Sequence, residues 1–324
     1  MSGIEISVVV CTYNRAGMLA GILEGLCSQQ LDPARFEVIV VDNNSTDDTR
    51  AVVESYEARF PCVRYCFEKL QGLSNARNRG WMEALGIYVA YVDDDCRVPP
   101  EWLTVAAEIM ALHSPHIFGG PYFPFYIKTR PSWFKDEYGS NFQGDEPRIL
   151  RSDEYLSGGN LFIQRQLLEK LDGFKPELGM SGRKVAYGEE TIFIRQARST
   201  VPEVKVYYEP RLYVYHLVQA EKMRLSKVFF RRFAEGRYSY LAFNDGAHQF
   251  TIKHALGLVG LPLLLVIEAV LGMLLRDRKK YPYYQNYLFE HVFYRVIMLG
   301  RLYERLKETL RLEIKKLIVR SNEI

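Results

Sequence analysis

Three consecutive aspartates, Asp93, Asp94 and Asp95, are the residues of this chain best suited to chemistry. Adjacent carboxylates repel one another, so their ionised forms need a positive charge nearby. A hard divalent cation such as Mg²⁺ or Mn²⁺ supplies it, because it binds one or two carboxylates and keeps positions open for phosphate oxygens. The alternative is a solvated acidic turn before Pro99-Pro100. The pattern favours a metal site that meets a phosphorylated ligand.

A second acidic site is the adjacent pair Glu189 and Glu190. Two carboxylates at a helix start often do no more than offset the helix dipole. A group transfer to a hydroxyl, however, needs one carboxylate that takes the proton of the attacking hydroxyl. His216 follows an apolar strand and is either a structural residue or an imidazole that completes a metal shell.

Two further polar groups are suited to binding a nucleotide. Asp42 directly follows a buried strand, where its carboxylate can accept from a ribose hydroxyl or a base N–H, or can instead cap a helix. The run Asn75-Ala76-Arg77-Asn78-Arg79 places two cations and two amides at a helix start. Backbone N–H groups and arginines there can hold a phosphate or a base, but a solvated helix surface explains the run about as well.

The elements that must position these residues alternate between strands and helices. Continuous apolar runs predict buried strands at Ile6–Val10, Phe36–Val41, Val63–Phe67 and Ile87–Val92. Helical spacing between the runs predicts an α/β fold with a mostly parallel, Rossmann-like sheet flanked by helices. Parallel sheets place ligands at the carboxyl ends of their strands, so we expect three polar clusters to converge on one crevice. These are Thr12–Arg15, Asp42–Ser45 and Asp93–Asp95.

Composition agrees with a folded protein. Of 324 residues, 48% are hydrophobic and 25% charged, which excludes a disordered chain. Five cysteines without zinc-type spacing predict reduced thiols and a cytosolic protein. The N-terminal run MSGIEISVVVCTYNR lacks a basic start and predicts a first strand, not a signal peptide.

Several stretches together resemble the inverting family 2 glycosyltransferases of GT-A fold. They are SVVVCTYNR (7–15), VIVVDNNSTDDT (38–49), GLSNARNRG (72–80), YVDDDCRVPPEWL (91–103), GGN (158–160) and YGEET (187–191). The resemblance covers residues 5–100 closely and extends with gaps to about residue 240. It implies transfer of a sugar from a nucleotide-diphosphate donor, with Mn²⁺ or Mg²⁺ as cofactor.

The resemblance also implies residue roles. Thr12, Tyr13 and Arg15 would line the donor nucleotide site, Asp42 would contact the base or ribose, and Asn75 and Asn78 would frame the nucleotide. Asp93 and Asp95 match the outer members of the family's DxD motif, with Asp95 the direct metal ligand, Asp94 on the ribose or sugar, and His216 near the diphosphate.

The catalytic base is the one position where the chain departs from the family pattern. The family carries Gly-Glu-Asp and uses the final Asp as base, whereas this chain has Glu190 there, which is one methylene longer. The base is therefore Glu190 or Glu189.

The C-terminal region has a different character. Residues 219–324 carry 19 Lys and Arg against 10 Asp and Glu, a net charge of +9, whereas the first 218 residues carry −6. Ala255–Leu275 is almost wholly apolar and is followed by Arg276-Asp277-Arg278-Lys279-Lys280 and four tyrosines. It could span a bilayer, lie in its plane or pack within the protein, with Pro262 and Glu268 weakening a simple span. A helix over Val292–Val319 could pack, lie on lipid or pair with another subunit.

The sequence thus predicts a catalytic domain over residues 1–245, with a nucleotide-binding half (1–100) and an acceptor-side half (101–245), and a helical region over 246–324. The expected partners are a UDP-sugar or other nucleotide sugar, a glycan or lipid-linked acceptor, the inner face of the cytoplasmic membrane and a second copy through the C-terminal helices. Nucleic acid is not expected, because the basic tail lacks stacking platforms. The alternatives are a nucleotidyltransferase and a membrane-tethered nucleotide-binding or scaffold protein without catalysis.

Overall fold

The structure, a computed structural model, describes residues 3–180, 188–243 and 249–321. The chain divides into two units. The first comprises Met1–Ile127, Asp136–Val185 and Glu189–Val218, and the second comprises Lys128–Lys135, Ala186–Gly188 and Gln219–Ile324. The described strands, and every residue to which the sequence assigns a catalytic, donor-binding or metal-binding role, belong to the first unit.

The four apolar runs form one half of the central sheet. The strands are β1 (Ile6–Thr12), β2 (Phe36–Asp42), β3 (Val63–Phe67) and β4 (Tyr88–Asp93). They lie in the order β3-β2-β1-β4 and all pair in parallel. Every residue of β2 is buried, because helices cover both faces of a sheet of this kind. The helices between the strands are α1 (Ala16–Cys27), α2 (Thr49–Glu57) and α3 (Leu73–Glu83).

The other half of the sheet is mixed in direction. Next to β4 lies β9 (Asn160–Gln164), which is antiparallel to both β4 and β6 (Ile117–Gly119). The sheet continues through β10 (Val206–Tyr208), parallel to β6, and ends at β8 (Arg148–Ile149). The predicted mostly parallel α/β sheet is confirmed, with β9 as an antiparallel insertion in its middle.

A second sheet of three short strands includes the segment that directly follows Asp93–Asp95. It has the order β5-β11-β7, with β5 at Cys96–Arg97, β7 at Tyr122–Phe125 and β11 at Val214–Leu217. The sequence predicted a strand that ends at Tyr215, before His216. The observed strand runs two residues further, so His216 lies within it and pairs with Cys96.

The core of the first unit has two layers, one on each face of the sheet. Val8 and Val10 belong to the layer that includes apolar residues of α1, α2 and α4 (Trp102–His113). Val9, between them, belongs to the layer that includes apolar residues of α3, α5 (Arg165–Leu171) and α6 (Glu189–Thr200). Successive side chains of a strand point to opposite faces, which is why a continuous valine run serves both layers.

The second unit is helical where it is described. Its main helices are α7 (Leu225–Phe243), α8 (Ile252–Leu275) and α10 (Tyr294–Ser321), with the short α9 (Tyr284–Tyr287) and a π-turn at Leu288–Val292. α7 and α10 cross closely at two glycines, since a Cβ at Gly236 would overlap the backbone of Ile297 and one at Gly300 would overlap that of Phe233. The Arg237–Glu304 ion pair, 2.5 Å from Nε to Oε2, joins the same two helices.

Candidate functional site

The carboxyl ends of the parallel strands bring the first polar residues together. Thr12 pairs with Asp42 across β1 and β2, and Cys11 pairs with Asp93 across β1 and β4. In register, therefore, the last residues of three strands lie side by side at one edge of the sheet. This edge is where parallel sheets bind ligands.

Asp94 is the buried centre of this edge. Its Oδ2 accepts a hydrogen bond from Thr12 Oγ1 at 2.8 Å, and its Oδ1 accepts one from Arg15 Nη1 at 2.6 Å. Arg15 also reaches Asp95 Oδ2 at 3.3 Å. Burial raises the pKa of the Asp94 carboxyl to about 6, against the opposing effect of the Arg15 charge. Thr12, Arg15 and Asp94 are thus brought together as the sequence predicted, and they bind one another.

Asp93 and Asp95 lie on either side of Asp94 in the sequence, and their side chains differ in solvent exposure. The Asp93 side chain is 37% exposed and that of Asp95 is 3% exposed. His216 Nε2 lies 3.3 Å from Asp95 Oδ1 and 3.9 Å from Asp93 Oδ2. Gly159 leaves room beside Asp93, because a Cβ there would lie 2.5 Å from Asp93 Oδ2. Strand β11 therefore carries an imidazole to the acidic strand end.

These groups fit a hard divalent cation. Among the described residues, Asp93, Asp95 and Cys96 each offer one atom within 4.8 Å of the others. Burial raises the pKa of the Cys96 thiol well above its usual value, so Cys96 stays protonated and is a poor ligand. Two carboxylates and an imidazole remain, which suit Mn²⁺ or Mg²⁺ with open positions for phosphate oxygens.

Asp42 is held by the protein on both of its oxygens. Tyr65 Oη donates to its Oδ2 at 2.8 Å, and the Ser45 backbone N–H donates to its Oδ1 at 2.8 Å. Its neighbour Asn43 donates to the Leu70 carbonyl at 2.7 Å and accepts from the Gly72 N–H at 2.7 Å. The turn after β2 and the loop before α3 therefore form one rigid wall next to β1. Tyr65 lies on the neighbouring strand β3, and no local sequence pattern links it to Asp42.

The other residues predicted to bind the donor make no side-chain hydrogen bond to Asp94, Thr12 or Arg15 within the described ranges. Tyr13 is 38% exposed, and half-buried Asn75 donates to the Gln71 carbonyl at 3.2 Å. Asn78 binds the backbone of Phe174 twice, donating to its carbonyl at 2.7 Å and accepting from its N–H at 2.8 Å. The structure thus brings Asn78 to the turn at Gly173-Phe174 rather than to the strand ends.

A buried ion pair holds the second acidic site. Arg77 Nη1 donates to Glu189 Oε1 at 2.8 Å, and both side chains are about 95% buried or more. The guanidinium lies over the rings of Tyr91 and Phe174, at 5.7 and 5.5 Å from their centroids. A Cβ at Gly158 would lie too close to Arg77 Nη2, so any other residue there would require the guanidinium to shift. The sequence run 75–79 contained Arg77, but only its burial distinguishes it from the exposed Arg79.

Glu190 differs from Glu189 in having no such partner. Its Oε2 atom is buried and accepts no hydrogen bond within the described parts of the chain. Burial raises the pKa of its carboxyl to about 8, and the adjacent Glu189 charge raises it further, while Arg77 opposes the shift. A carboxyl in this environment holds a proton at neutral pH and is a stronger base than an ordinary glutamate once ionised.

Residues 7–172, just over half of the chain, match the sequence profile of a family described as "Glycosyl transferase family 2". The chain belongs to this family. The chain is also similar in sequence to named proteins of sugar transfer and polysaccharide biosynthesis. A glucosyl-dolichyl phosphate glucuronosyltransferase of Haloferax volcanii is 26% identical, with 72% of this chain and 75% of the relative covered. The succinoglycan biosynthesis protein ExoM of Rhizobium meliloti is 28% identical, with 76% and 77% covered.

Solved structures match the fold of this family 2 glycosyltransferase at lower identity. The mannosyltransferase PcManGT from Pyrobaculum calidifontis, solved with GDP-Man and Mn²⁺, superimposes with a TM-score of 0.62 at 17% identity, covering 94% of this chain and 87% of that one. TarS 1-349 of S. aureus, solved with UDP, gives 0.54 at 19% identity, covering 94% and 92%. The expected GT-A fold is confirmed, and the chain is a glycosyltransferase.

Proposed function

We propose that the chain is a metal-dependent, inverting glycosyltransferase that moves a sugar from a nucleotide-diphosphate donor to an acceptor hydroxyl. The observation that carries this proposal is the unpartnered, buried Oε2 of Glu190, whose carboxyl has a pKa of about 8. Consecutive glycines link this site to the other acidic site, since Gly158 lies against Arg77 and Gly159 against Asp93. In this proposal the proton acceptor and the cation site both lie near the start of β9, in the first unit.

The donor half of the site rests on the three aspartates. Asp93, Asp95 and His216 would hold Mn²⁺ or Mg²⁺, and the bound cation would neutralise the donor diphosphate as it leaves. Arg15, held by Asp94, adds a fixed positive charge beside them. We assign Thr12, Tyr13, Asp42 and Asn75 to the nucleotide, and Asn78 to the support of the turn at Gly173-Phe174. That the two structural neighbours were solved with UDP and with GDP-Man and Mn²⁺ supports a nucleotide-sugar donor.

The acceptor half rests on Glu190. Its ionised Oε2 takes the proton of the acceptor hydroxyl, and the freed oxygen forms a bond to the anomeric carbon. The bond from that carbon to the diphosphate oxygen breaks on the opposite face, so the configuration inverts. Glu189 is already paired with Arg77, which favours Glu190 over Glu189 as the base. Burial raises the pKa of the base most, and the charge of Glu189 raises it further.

The acceptor is proposed to be a lipid-linked saccharide or glycan of a cell-surface polysaccharide pathway, reached from the inner face of the cytoplasmic membrane. Two relatives support this by name, one as a glucuronosyltransferase of glucosyl-dolichyl phosphate and one as a succinoglycan biosynthesis protein. The division into a catalytic domain (1–245) and a helical region (246–324), and pairing of two copies through the latter, remain proposals of the same kind.

A thermal-shift screen of nucleoside diphosphates and nucleotide sugars, with and without Mn²⁺, tests the donor half. We expect at least one of them to raise the melting temperature only when Mn²⁺ is present. Asp95→Ala should abolish that shift, whereas Glu190→Ala should keep it and lose transfer. If no nucleotide stabilises the protein in a metal-dependent manner, the proposal is wrong.

A further inference from the structure

Helix α8 presents an apolar surface to the outside of its unit. Along its 24 residues only Leu261 and Gly272 are buried. Large apolar side chains are exposed on every turn from one end to the other: Ile252, Leu256, Val259, Leu263, Val266, Val270 and Leu274 are 54–80% exposed. It is also the one helix in the described ranges that is long and apolar enough to cross a membrane.

Two polar side chains of α8, His254 and Glu268, face α10, whereas Lys253 is exposed in the first turn of the helix. Glu268 is the only charged residue between Ala255 and Leu275. Arg295 of α10 binds both of its oxygens, with Nε 2.7 Å from Oε2. Near the start of α8, His254 contacts Arg305 of α10. The helix is therefore more polar on the face that packs against protein than on the face that is exposed, which is the reverse of a helix on the surface of a soluble domain.

The packing of α10 decides how such a surface can meet a bilayer. Three contacts join the two helices in antiparallel order: His254 with Arg305, Gly257 with Leu302, and Glu268 with Arg295. α10 therefore runs alongside more than half of the length of α8. Over this stretch α10 carries Arg301, which is exposed, and Glu304, which is bound to α7. If α8 crossed the membrane with this packing intact, the charges of α10 would enter the hydrocarbon, where ionised side chains are strongly disfavoured.

The residues after α8 add a positive charge at the same surface. Arg278, Lys279 and Lys280 are exposed directly after the helix end. Two of the tyrosines that follow bond back to α8, while Tyr283 is exposed. Tyr284 Oη donates to the Ala269 carbonyl at 2.6 Å, and Tyr287 Oη donates to the Glu268 carbonyl at 3.3 Å. The tyrosines fix the end of α8 and leave the basic side chains to reach anionic headgroups.

We propose that α8 lies in the plane of an anionic lipid surface, with its exposed apolar face among the acyl chains and its Glu268 face on α10. This inference gives a geometry to the membrane location proposed above. A helix of this kind is held by its buried apolar area together with the attraction between basic residues and anionic lipids. The same geometry keeps α10 and α7 on the aqueous side of the surface.

Vesicle flotation of the full chain tests the contact itself. We expect binding to vesicles of phosphatidylcholine with phosphatidylglycerol, and weaker binding to phosphatidylcholine alone. The double variant Leu263→Glu/Val270→Glu should lower the partition coefficient about tenfold or more, because two apolar side chains are lost from the lipid. Leu112→Glu, at an equally exposed leucine of α4, is the matched control and should bind as the wild type does.

Depth measurement separates a helix in the plane from one that spans. Ile252, Leu263 and Leu274 are eleven residues apart, or about three turns, and so share a face. A tryptophan placed at each in turn is quenched by lipids brominated at known depths, with the wild type as baseline. A helix in the plane gives three equal, shallow depths. A spanning helix puts position 263 about 15 Å deeper than the ends, and that result would overturn the proposal.

Three further results count against the inference. They are failure of the wild type to float with anionic vesicles, unchanged binding of the double variant, and a dimer in lipid-free solution that the double variant breaks while no chain binds lipid. Transfer from the donor, measured on the same preparations, separates the two proposals. Transfer without lipid binding refutes the position of α8 alone, and lipid binding without transfer refutes the enzymatic proposal alone.

Discussion

The two acidic sites of the first unit are both built from carboxylates and differ in their surroundings. Asp93, Asp94 and Asp95 are contacted by Thr12, Arg15 and His216, and one carboxylate of the three remains partly open to solvent. Glu189 and Glu190 share one buried arginine, which binds only Glu189. The first arrangement surrounds its carboxylates with cationic and polar groups, whereas in the second, burial and the neighbouring Glu189 charge raise the pKa of the carboxyl that the arginine does not bind. In the function that we propose, this difference in environment separates a metal site from a base.

The largest effect is expected from Asp95→Asn. It keeps the shape of the side chain but removes the charge that lies beside Arg15 and His216. Loss of metal binding should cost about 5 kcal/mol of charge stabilisation, or roughly four powers of ten in kcat/KM. Steady-state kinetics at saturating Mn²⁺ measures it, with the exposed Asp153→Asn as control. Near-normal turnover would remove Asp95 from the metal site.

Glu190→Gln should separate the second site from the first. We expect a roughly 10³-fold loss of kcat, because the proton acceptor is gone, with donor and metal binding unchanged. Isothermal titration of the donor and single-turnover transfer give the two readings. If Glu190→Gln transfers normally and Glu189→Gln does not, then the base is Glu189 and the two carboxylates exchange roles.

Arg77→Met tests the ion pair that makes the glutamates unequal. The variant leaves Glu189 buried without its partner, so we expect a loss of about 3–5 kcal/mol in the free energy of unfolding. Arg50→Ala removes an exposed ion pair of α2 with Glu54 and should change the free energy of unfolding far less, because solvent screens such a pair. Urea unfolding measures both. The double variant Arg77→Met/Glu189→Gln should recover part of the loss, and its failure to do so would mean that the pairing is not what stabilises this region.

The smallest effect concerns pH. The Glu190 carboxyl must be ionised to accept a proton, and its pKa of about 8 means that kcat/KM should rise with pH and level off above about pH 8. Glu189→Gln removes the adjacent negative charge, so the pKa of Glu190 should fall and the rise should move to lower pH. Profiles recorded with Mg²⁺ avoid hydroxide precipitation of Mn²⁺. A profile that is flat from pH 6 to 9 would contradict the assignment.

Much of the structure of the first unit can be predicted from local sequence pattern. The valine and isoleucine runs could be buried only as strands covered on both faces, and three polar clusters at their ends had to share one edge. The direction of β9 and the extension of β11 through His216 could not be predicted in this way. Both depend on pairing between segments more than 40 residues apart, and the period of a short strand carries no information about its partner.

The C-terminal helices show the same division. The composition of residues 255–275 identifies an apolar run. Composition does not decide whether this run spans a bilayer, lies in its plane or packs within the protein. The antiparallel packing of α10 against α8 places Glu268 on the side of α8 that contacts protein. This packing shows that α8 exposes one apolar face and is not apolar all the way round.

The sequence by itself determined the kinds of group at the site: three carboxylates after a buried strand, a further pair at a helix start, and a fold that brings strand ends together. Tertiary structure decided what each group can do. The pKa of a carboxyl depends on the charges and the water within a few ångströms, and those neighbours come from distant parts of the chain. Arg77 therefore distinguishes two adjacent glutamates that the sequence could not tell apart.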